Sequence, residues 1–382
     1  MLGKLVVEDP SDTSLWACAL DAIAGSQRGA LQNPALVLIK ESYQQHPVEI
    51  QHAVVESLAT ISRRDGDPML ARSYLLPYIK TENTPRFLQA EYADVLSALK
   101  FHEQAIDIYE RLLDVVGDDE EHLERVEIQL RFADVLHVAK EYEAAQIQLD
   151  ELLLQIDNTS PARLRHALLS TARNLVALER HQKALDYFRQ LRDMDPDKFE
   201  LHEEYAGALL SASRPREALQ WLTEAPGLTL DGEFLLGAIY TNLEAYRRAV
   251  GVYRSIVERH PKQLKAWRLL ADNASWGKDF RTAIHIYEQL LLRAPDDESL
   301  RIALADAWLW SDKQQQALEV YFRILRQAPD RYDLWARFAQ AATADVRTTP
   351  EMQSILESIL AARDAWPREF NFRLSMVDAL FR

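Results

Sequence analysis

Five aspartates of this chain recur in one context, each directly after a two-residue hydrophobic step. They are Asp94 after Tyr92-Ala93, Asp134 after Phe132-Ala133, Asp272 after Leu270-Ala271, Asp306 after Leu304-Ala305 and Asp378 after Met376-Val377. Asp21, after Ala19-Leu20, fills the same slot when the chain is aligned from Pro10. Carboxylates in one slot of successive helices would form an acidic row able to pair with a partner's Lys or Arg. The same row arises if the aspartates only cap, solvate or salt-bridge neighbouring helices, as charged helix faces commonly do. The sequence leaves both readings open. Trp276 and Trp310 stand one helical turn beyond Asp272 and Asp306. They offer flat aromatic area for stacking and cation–π contact, or for packing against the adjoining turn. Arg247, Arg248, Arg254, Arg259, Lys262, Lys265 and Arg268 form a local basic cluster, suited to an acidic partner, to another copy of the chain, or to a solvated face.

Other chemistry finds no support in the residue spacing. There is no glycine-lysine phosphate loop, no glycine-flanked serine nucleophile, no dinucleotide glycine fingerprint and no histidine pair at metal spacing on one helix. The ten histidines are scattered, and His202-Glu203 lacks a second histidine four residues on. The lone Cys18 excludes an internal disulfide and any zinc site built on several thiolates. Beside Trp16 it reads as a small packed residue rather than a nucleophile. The expectation is a non-enzyme with no cofactor and no metal.

The elements that carry these residues are written as a repeat. Trp267, Leu270, Ala271, Ala283, Tyr287, Leu290 and Pro295 are followed 34 residues later by Arg301, Leu304, Ala305, Ala317, Tyr321, Ile324 and Pro329. One step upstream stand Leu236, Gly237, Ala249, Tyr253, Ile256 and Pro261. A period of this length reads as a stack of helix–turn–helix units, none stable alone. The small residue recurs at Ala35, Ala71, Ala105, Ala145, Ala184, Ala218, Ala249, Ala283 and Ala317, with Ile355 in the last slot. It belongs where two helices cross closely, and a larger side chain there would overpack the crossing by roughly 1–3 kcal/mol. Four positions on, Tyr109, Phe188, Tyr253, Tyr287 and Tyr321 share its helix face. Around 115–165 the units are stretched, which predicts longer helices there. Ser160-Pro161 reads as an N-cap followed by proline at the first helical position.

The residues Leu270-Ala271, Ala283, Tyr287 and Pro295, with their equivalents on either side, resemble the tetratricopeptide repeat signature. The resemblance implies an all-α, right-handed superhelical solenoid of about ten helix pairs, with partial units at both ends. It divides the chain into 1–10, the end of a repeat; 11–165, stretched repeats; 166–367, regular repeats; and 368–382, the first helix of another. In this family the aspartate slot and the position of Trp276 and Trp310 face a concave groove that binds a peptide or helix. Asp94, Asp134, Asp272, Asp306, Trp276, Trp310 and Arg268 are therefore the candidate partner-binding residues. Members that grip a C-terminal carboxylate with Lys, Asn and Arg are matched poorly, since Asp272 replaces the asparagine and Arg268 alone resembles a clamp cation.

Composition agrees with an extended helical protein. Only 11 Gly and 15 Pro punctuate 382 residues, 48% of which are hydrophobic. A net charge of −15 disfavours nucleic acid and anionic lipid and favours basic or neutral protein partners. No apolar run is long enough for direct membrane insertion. The expected function is a protein–protein interaction scaffold with an acidic groove, in a bacterial cytoplasm or periplasm. Asn273-Ala274-Ser275-Trp276 and Ala307-Trp308-Leu309-Trp310 are also similar to repeats of periplasmic proteins in exopolysaccharide synthesis and export, which supplies the alternative: a repeat arm of such a complex. Both chain ends read as cut through a repeat, so a longer parent protein is expected.

Overall fold

A helix whose apolar residues fall on one stripe must bury that stripe against a neighbour, and here the neighbour is the next helix along the chain. The computed structural model describes residues 43–341 and Pro350, apart from 46, 80–83, 117–121, 157–159, 195–200, 226, 312 and 329–330. Asp21, Asp378, Trp16, Cys18, Ala35, Ile355 and Pro329 lie outside the described residues, as do the partial repeats expected at 1–10 and 368–382. The described residues form helices and turns without strands.

The chain divides into two units, Met1–Phe199 and Glu200–Arg382. In the first, a 3₁₀ turn at Tyr43–Gln45 precedes α1 (Val48–Arg64), α2 (Pro68–Ile79), α3 (Arg86–Ala98), α4 (His102–Val115), α5 (His122–Val138), α6 (Tyr142–Gln155), α7 (Pro161–Ala177) and α8 (His181–Met194). The second holds α9 (His202–Ser211), α10 (Pro215–Thr223), α11 (Leu230–Asn242), α12 (Tyr246–Arg259), α13 (Leu264–Trp276), α14 (Phe280–Arg293), α15 (Glu298–Leu309), α16 (Gln314–Gln327) and α17 (Tyr332–Ala341). Odd-numbered helices open the hairpins and even-numbered ones close them; within each unit, consecutive helices pack against each other.

The alanine slot explains why the hairpins close. Ala71, Ala105, Ala145, Ala184, Ala218, Ala249, Ala283 and Ala317 all have 0% exposure, wedged at the helix crossings. Beside them Tyr109, Phe188, Tyr253, Tyr287 and Tyr321 are buried, filling the space toward the next hairpin. Where the first helix also presents glycine the fit is tighter still: a Cβ on Gly237 would stand 2.4 Å from Cζ of Tyr253.

From α1 to α13, the turn within each hairpin is a Schellman closure, in which two amides past the helix end bond back to its last-turn carbonyls. After α3, Lys100 N–H donates to Ser97 and Phe101 N–H to Leu96; the same pair recurs after α1, α5, α7, α9, α11 and α13. The closure needs one left-handed residue. Gly66 supplies it after α1, but Lys100, Lys140, Glu179, Ser213, Glu244 and Lys278 supply it elsewhere, with φ of 56–69°.

In the stretched region α5 and α7 span 17 residues each, against 13 for α3, α11 and α13, but α1, outside that region, also spans 17. Pro161 opens α7 at its first turn, and Ser160 occupies the N-cap position. The Ser160 side chain caps no backbone amide, its hydroxyl accepting instead from Arg163.

Candidate functional site

The aspartate slot lies in the last half of the first helices α3, α5, α13 and α15. In three of them it meets the second helix of the same hairpin. Asp94 accepts a 2.6 Å bond from the Tyr109 hydroxyl, Asp272 a 2.5 Å bond from Tyr287, and Asp306 a 2.6 Å bond from Tyr321. Each tyrosine follows its aspartate by 15 residues, because the helical hairpin brings the aromatic slot of one helix under the acidic slot of the other. Burial and the adjacent carboxylate push each of these tyrosine hydroxyls above its ordinary range, so the hydroxyl remains a donor.

Each of these aspartates also pairs with an arginine. Arg131 of α5 donates to both Glu91 and Asp94 at 2.7 Å, while Arg63 of α1 reaches Glu91 at 3.1 Å and Asp94 at 3.5 Å. Glu91 is almost fully buried, and this network joins the first helices of three successive hairpins. Burial pushes the neighbouring Glu56 carboxyl up, and the Glu91 charge adds to the effect. Arg337 of α17 reaches Asp306 at 2.9 Å. Arg268 reaches Asp272 from one turn earlier on the same helix, at 3.2 Å, and its other amine touches Ser299 of α15.

Asp134 differs because position 149 is leucine. Its carboxylate instead takes bonds from two residues of α7, 2.7 Å from the Ser170 hydroxyl and 2.9 Å from His166 Nε2. That bond raises the His166 pKa above its ordinary value, burial acting in the opposite sense. In the hairpin where Ala238 fills the acidic slot, Tyr253 has no carboxylate at that position, and Thr241 bonds to Gly237 and Asn273.

The two tryptophans stand apart from this locked row. Trp276 and Trp310 are 52% and 59% exposed, while Trp335 is buried and Trp267 ties its indole N–H to the Pro261 carbonyl. Together with Lys278, Phe280, Leu309, Asp306 and Arg337 they line one open hollow of ≈ 700 Å³ within the second unit. Side-chain exposure of 34% at Asp306 and 39% at Arg337 leaves the pair reachable at its wall. Burial pushes the Asp306 carboxyl up, against the pull of the Tyr321 hydroxyl and Arg337. The structure thus brings Trp276, Trp310 and Asp306 together. Asp272 and Arg268 bond each other and neither lines the hollow; Asp94 and Asp134 belong to the first unit. Phe280, Leu309 and Arg337 are lining residues that the repeat spacing does not single out.

Residues 169–229 and 277–343 each match a family model described as tetratricopeptide repeat. Over these two stretches the chain consists of tetratricopeptide repeats. Its tetratricopeptide repeats are similar to three solved structures. The first is the C-terminal part of a TPR repeat-containing protein from Cytophaga hutchinsonii, with 17% identity over 64% of this chain and 97% of that one, TM-score 0.49. The second is a tetratricopeptide repeat protein from Parabacteroides merdae, with 18% identity, 66% and 98% coverage and TM-score 0.46. The third is the APC/C hetero-tetramer Cut9–Hcn1, with 13% identity, 98% and 74% coverage and TM-score 0.43. A comparison with curated protein sequences gives no match.

Tetratricopeptide repeats make the chain a protein-interaction scaffold in the general sense. Among the described residues no helix is long and apolar enough to cross a membrane, and no group of three or more His, Cys, Asp or Glu could hold a metal ion.

Proposed function

We propose that this scaffold holds an extended or helical segment of another protein against the hollow of its second unit, with Trp276 and Trp310 as anchors. The observation that carries this reading is the exposure of two tryptophans, 34 residues apart, in one hollow, while the other described tryptophans are buried or half-buried. Exposed rigid aromatic area is costly to leave in water and is what binding hot spots are made of. The chemistry favours Lys or Arg in the bound segment: an aliphatic stem covers the indole, and the cation meets the negative ring face and the Asp306 carboxylate. The overall charge of −15 steers such a segment toward the chain. Arg337 and Lys278 at the wall already offset the Asp306 charge, so the tryptophans rather than the acidic row supply the larger share of the affinity.

The test is fluorescence anisotropy of a labelled short peptide carrying lysines around a leucine, titrated with the intact chain. Binding by the wild-type chain should weaken about tenfold in Trp276→Ala/Trp310→Ala, two cation–π contacts' worth. It should also weaken as salt rises and screens the charges. Equal affinity in the double variant would remove the hollow from the account.

A further inference from the structure

A second hollow also borders Trp276, and cations dominate its wall. It measures ≈ 430 Å³ and is walled by Tyr246, Trp276, Arg247, Arg248 and Lys278, with Glu244 at the rim. The tight approach of α13's end to α12 builds it: Tyr246 and Trp276 stack obliquely at 6.0 Å, and a Cβ on Gly277 would lie 3.2 Å from that of Tyr246. Many arginines in this chain face a carboxylate. Arg259 pairs with Glu233, Arg268 with Asp272 and Arg337 with Asp306. Around this hollow they do not. Arg248 lies over the Tyr240 ring at 5.8 Å, and among the described residues Arg247 and Lys278 form no ion pair. Arg247, Arg248 and Lys278 are all exposed. Two of these cations sit in the first turn of α12, where the helix dipole disfavours positive charge. Their position is therefore not one that helix electrostatics would select.

We infer that this hollow is a docking site for an acidic side chain of a partner protein, an Asp or Glu carried on the segment that crosses Trp276. The inference rests on the scaffold reading and deepens it. Trp276 and Lys278 line both hollows, so one segment can lay a basic residue toward Asp306 and an acidic residue toward Arg247 and Arg248. In a chain of net charge −15 the unpaired cations form a local positive field that orients the segment and rejects the reverse direction.

The experiment compares three labelled peptides on the full chain at low salt: leucine flanked by glutamates, the same with glutamines, and the same with lysines. The glutamate peptide should bind more tightly than the glutamine peptide, and Arg247→Gln/Arg248→Gln should abolish that preference, a change of about fivefold. The lysine peptide should bind the double variant no worse than wild type, and unchanged thermal melting shows that the fold is kept. No preference for glutamate in the wild type, or a preference that survives in the double variant, overturns the inference. If the lysine peptide fails with every chain while the glutamate preference persists, the cationic-segment reading falls and the acidic docking site stands. If sedimentation shows self-association that the double variant abolishes, the occupant is a second copy of the chain and the partner-segment inference is overturned.

Discussion

The hydroxyl of Tyr287 donates to Asp272 across 2.5 Å, and 34 residues on, Tyr321 makes the same bond to Asp306. The bond spans the two helices of one hairpin, and its acceptor is also held by Arg268 or Arg337. Stability and binding therefore separate by substitution. Tyr287→Phe removes the donor and leaves a largely buried carboxylate oxygen one partner short. Urea unfolding should show a loss of about 1.5–3 kcal/mol, the range for a hydrogen bond to a charged group. Asp272→Asn keeps an acceptor for Tyr287 and gives up only the partly exposed pair with Arg268, so its loss should be about 1 kcal/mol or less. A double-mutant cycle between positions 272 and 287 with no coupling would contradict this division.

How much of this is legible in the sequence depends on the distance over which each signal acts. The alanine slot is local in its effect and repeats in every unit, so Ala184 or Ala283 announces a helix crossing without coordinates. The aspartate row is equally visible, but its partners are not, because a 15-residue separation joins Asp94 to Tyr109 only once the turn between them is known. A usable trace exists: aspartate and tyrosine coincide in three units, and the unit with Arg173 in the acidic slot has Phe188 in the aromatic one. The turns are hidden for a different reason. Five of the six positive-φ residues outside Gly66 are Lys or Glu, and a turn signal built on glycine and asparagine passes over them. Exposure of Trp276 and Trp310 cannot be read at all, since the same spacing serves a core or a surface tryptophan.

Gly237 and Gly251 should respond in opposite directions to alanine. At Gly237 the new methyl would meet the Tyr253 ring at 2.4 Å, and that ring is buried, so it has nowhere to move. The expected cost is about 1–3 kcal/mol. Gly251, within α12, has nothing within 4 Å of an added Cβ. Alanine there should stabilise by about 0.5–1 kcal/mol through helix propensity alone. Thermal melting of the two single variants reads both signs; a stabilised Gly237→Ala would mean that the hairpin closes less tightly than described.

The left-handed lysines make a further test. Lys140, at φ 68°, holds the Schellman closure after α5 in a conformation that an L side chain resists. Glycine adopts it without strain but loses more chain entropy on folding. The difference leaves Lys140→Gly more stable by about 0.5–1 kcal/mol, measured by urea unfolding. The matched control is Lys183→Gly in α8, an exposed lysine with helical backbone, where the same change is expected to cost about 1 kcal/mol. Two losses of equal size would show that the left-handed turn carries no strain for glycine to relieve.

His166 gives the first unit a dependence on pH whose direction is fixed by its partner. The Asp134 carboxylate, 2.9 Å from Nε2, favours the protonated ring and raises its pKa above the ordinary 6.5; Glu127 acts in the same sense, and burial and Arg173 oppose them. The folded chain therefore holds this proton more firmly than the unfolded one. The stability it contributes is complete below 6.5 and is lost as the pH rises through the higher folded value. His166→Gln preserves a donor to Asp134 but cannot be protonated. Its melting temperature should fall furthest below wild type at about pH 5.5 and approach wild type at about pH 8.5, where both side chains are neutral. A gap that widens with pH would reverse the assignment of His166 as the group held protonated by Asp134.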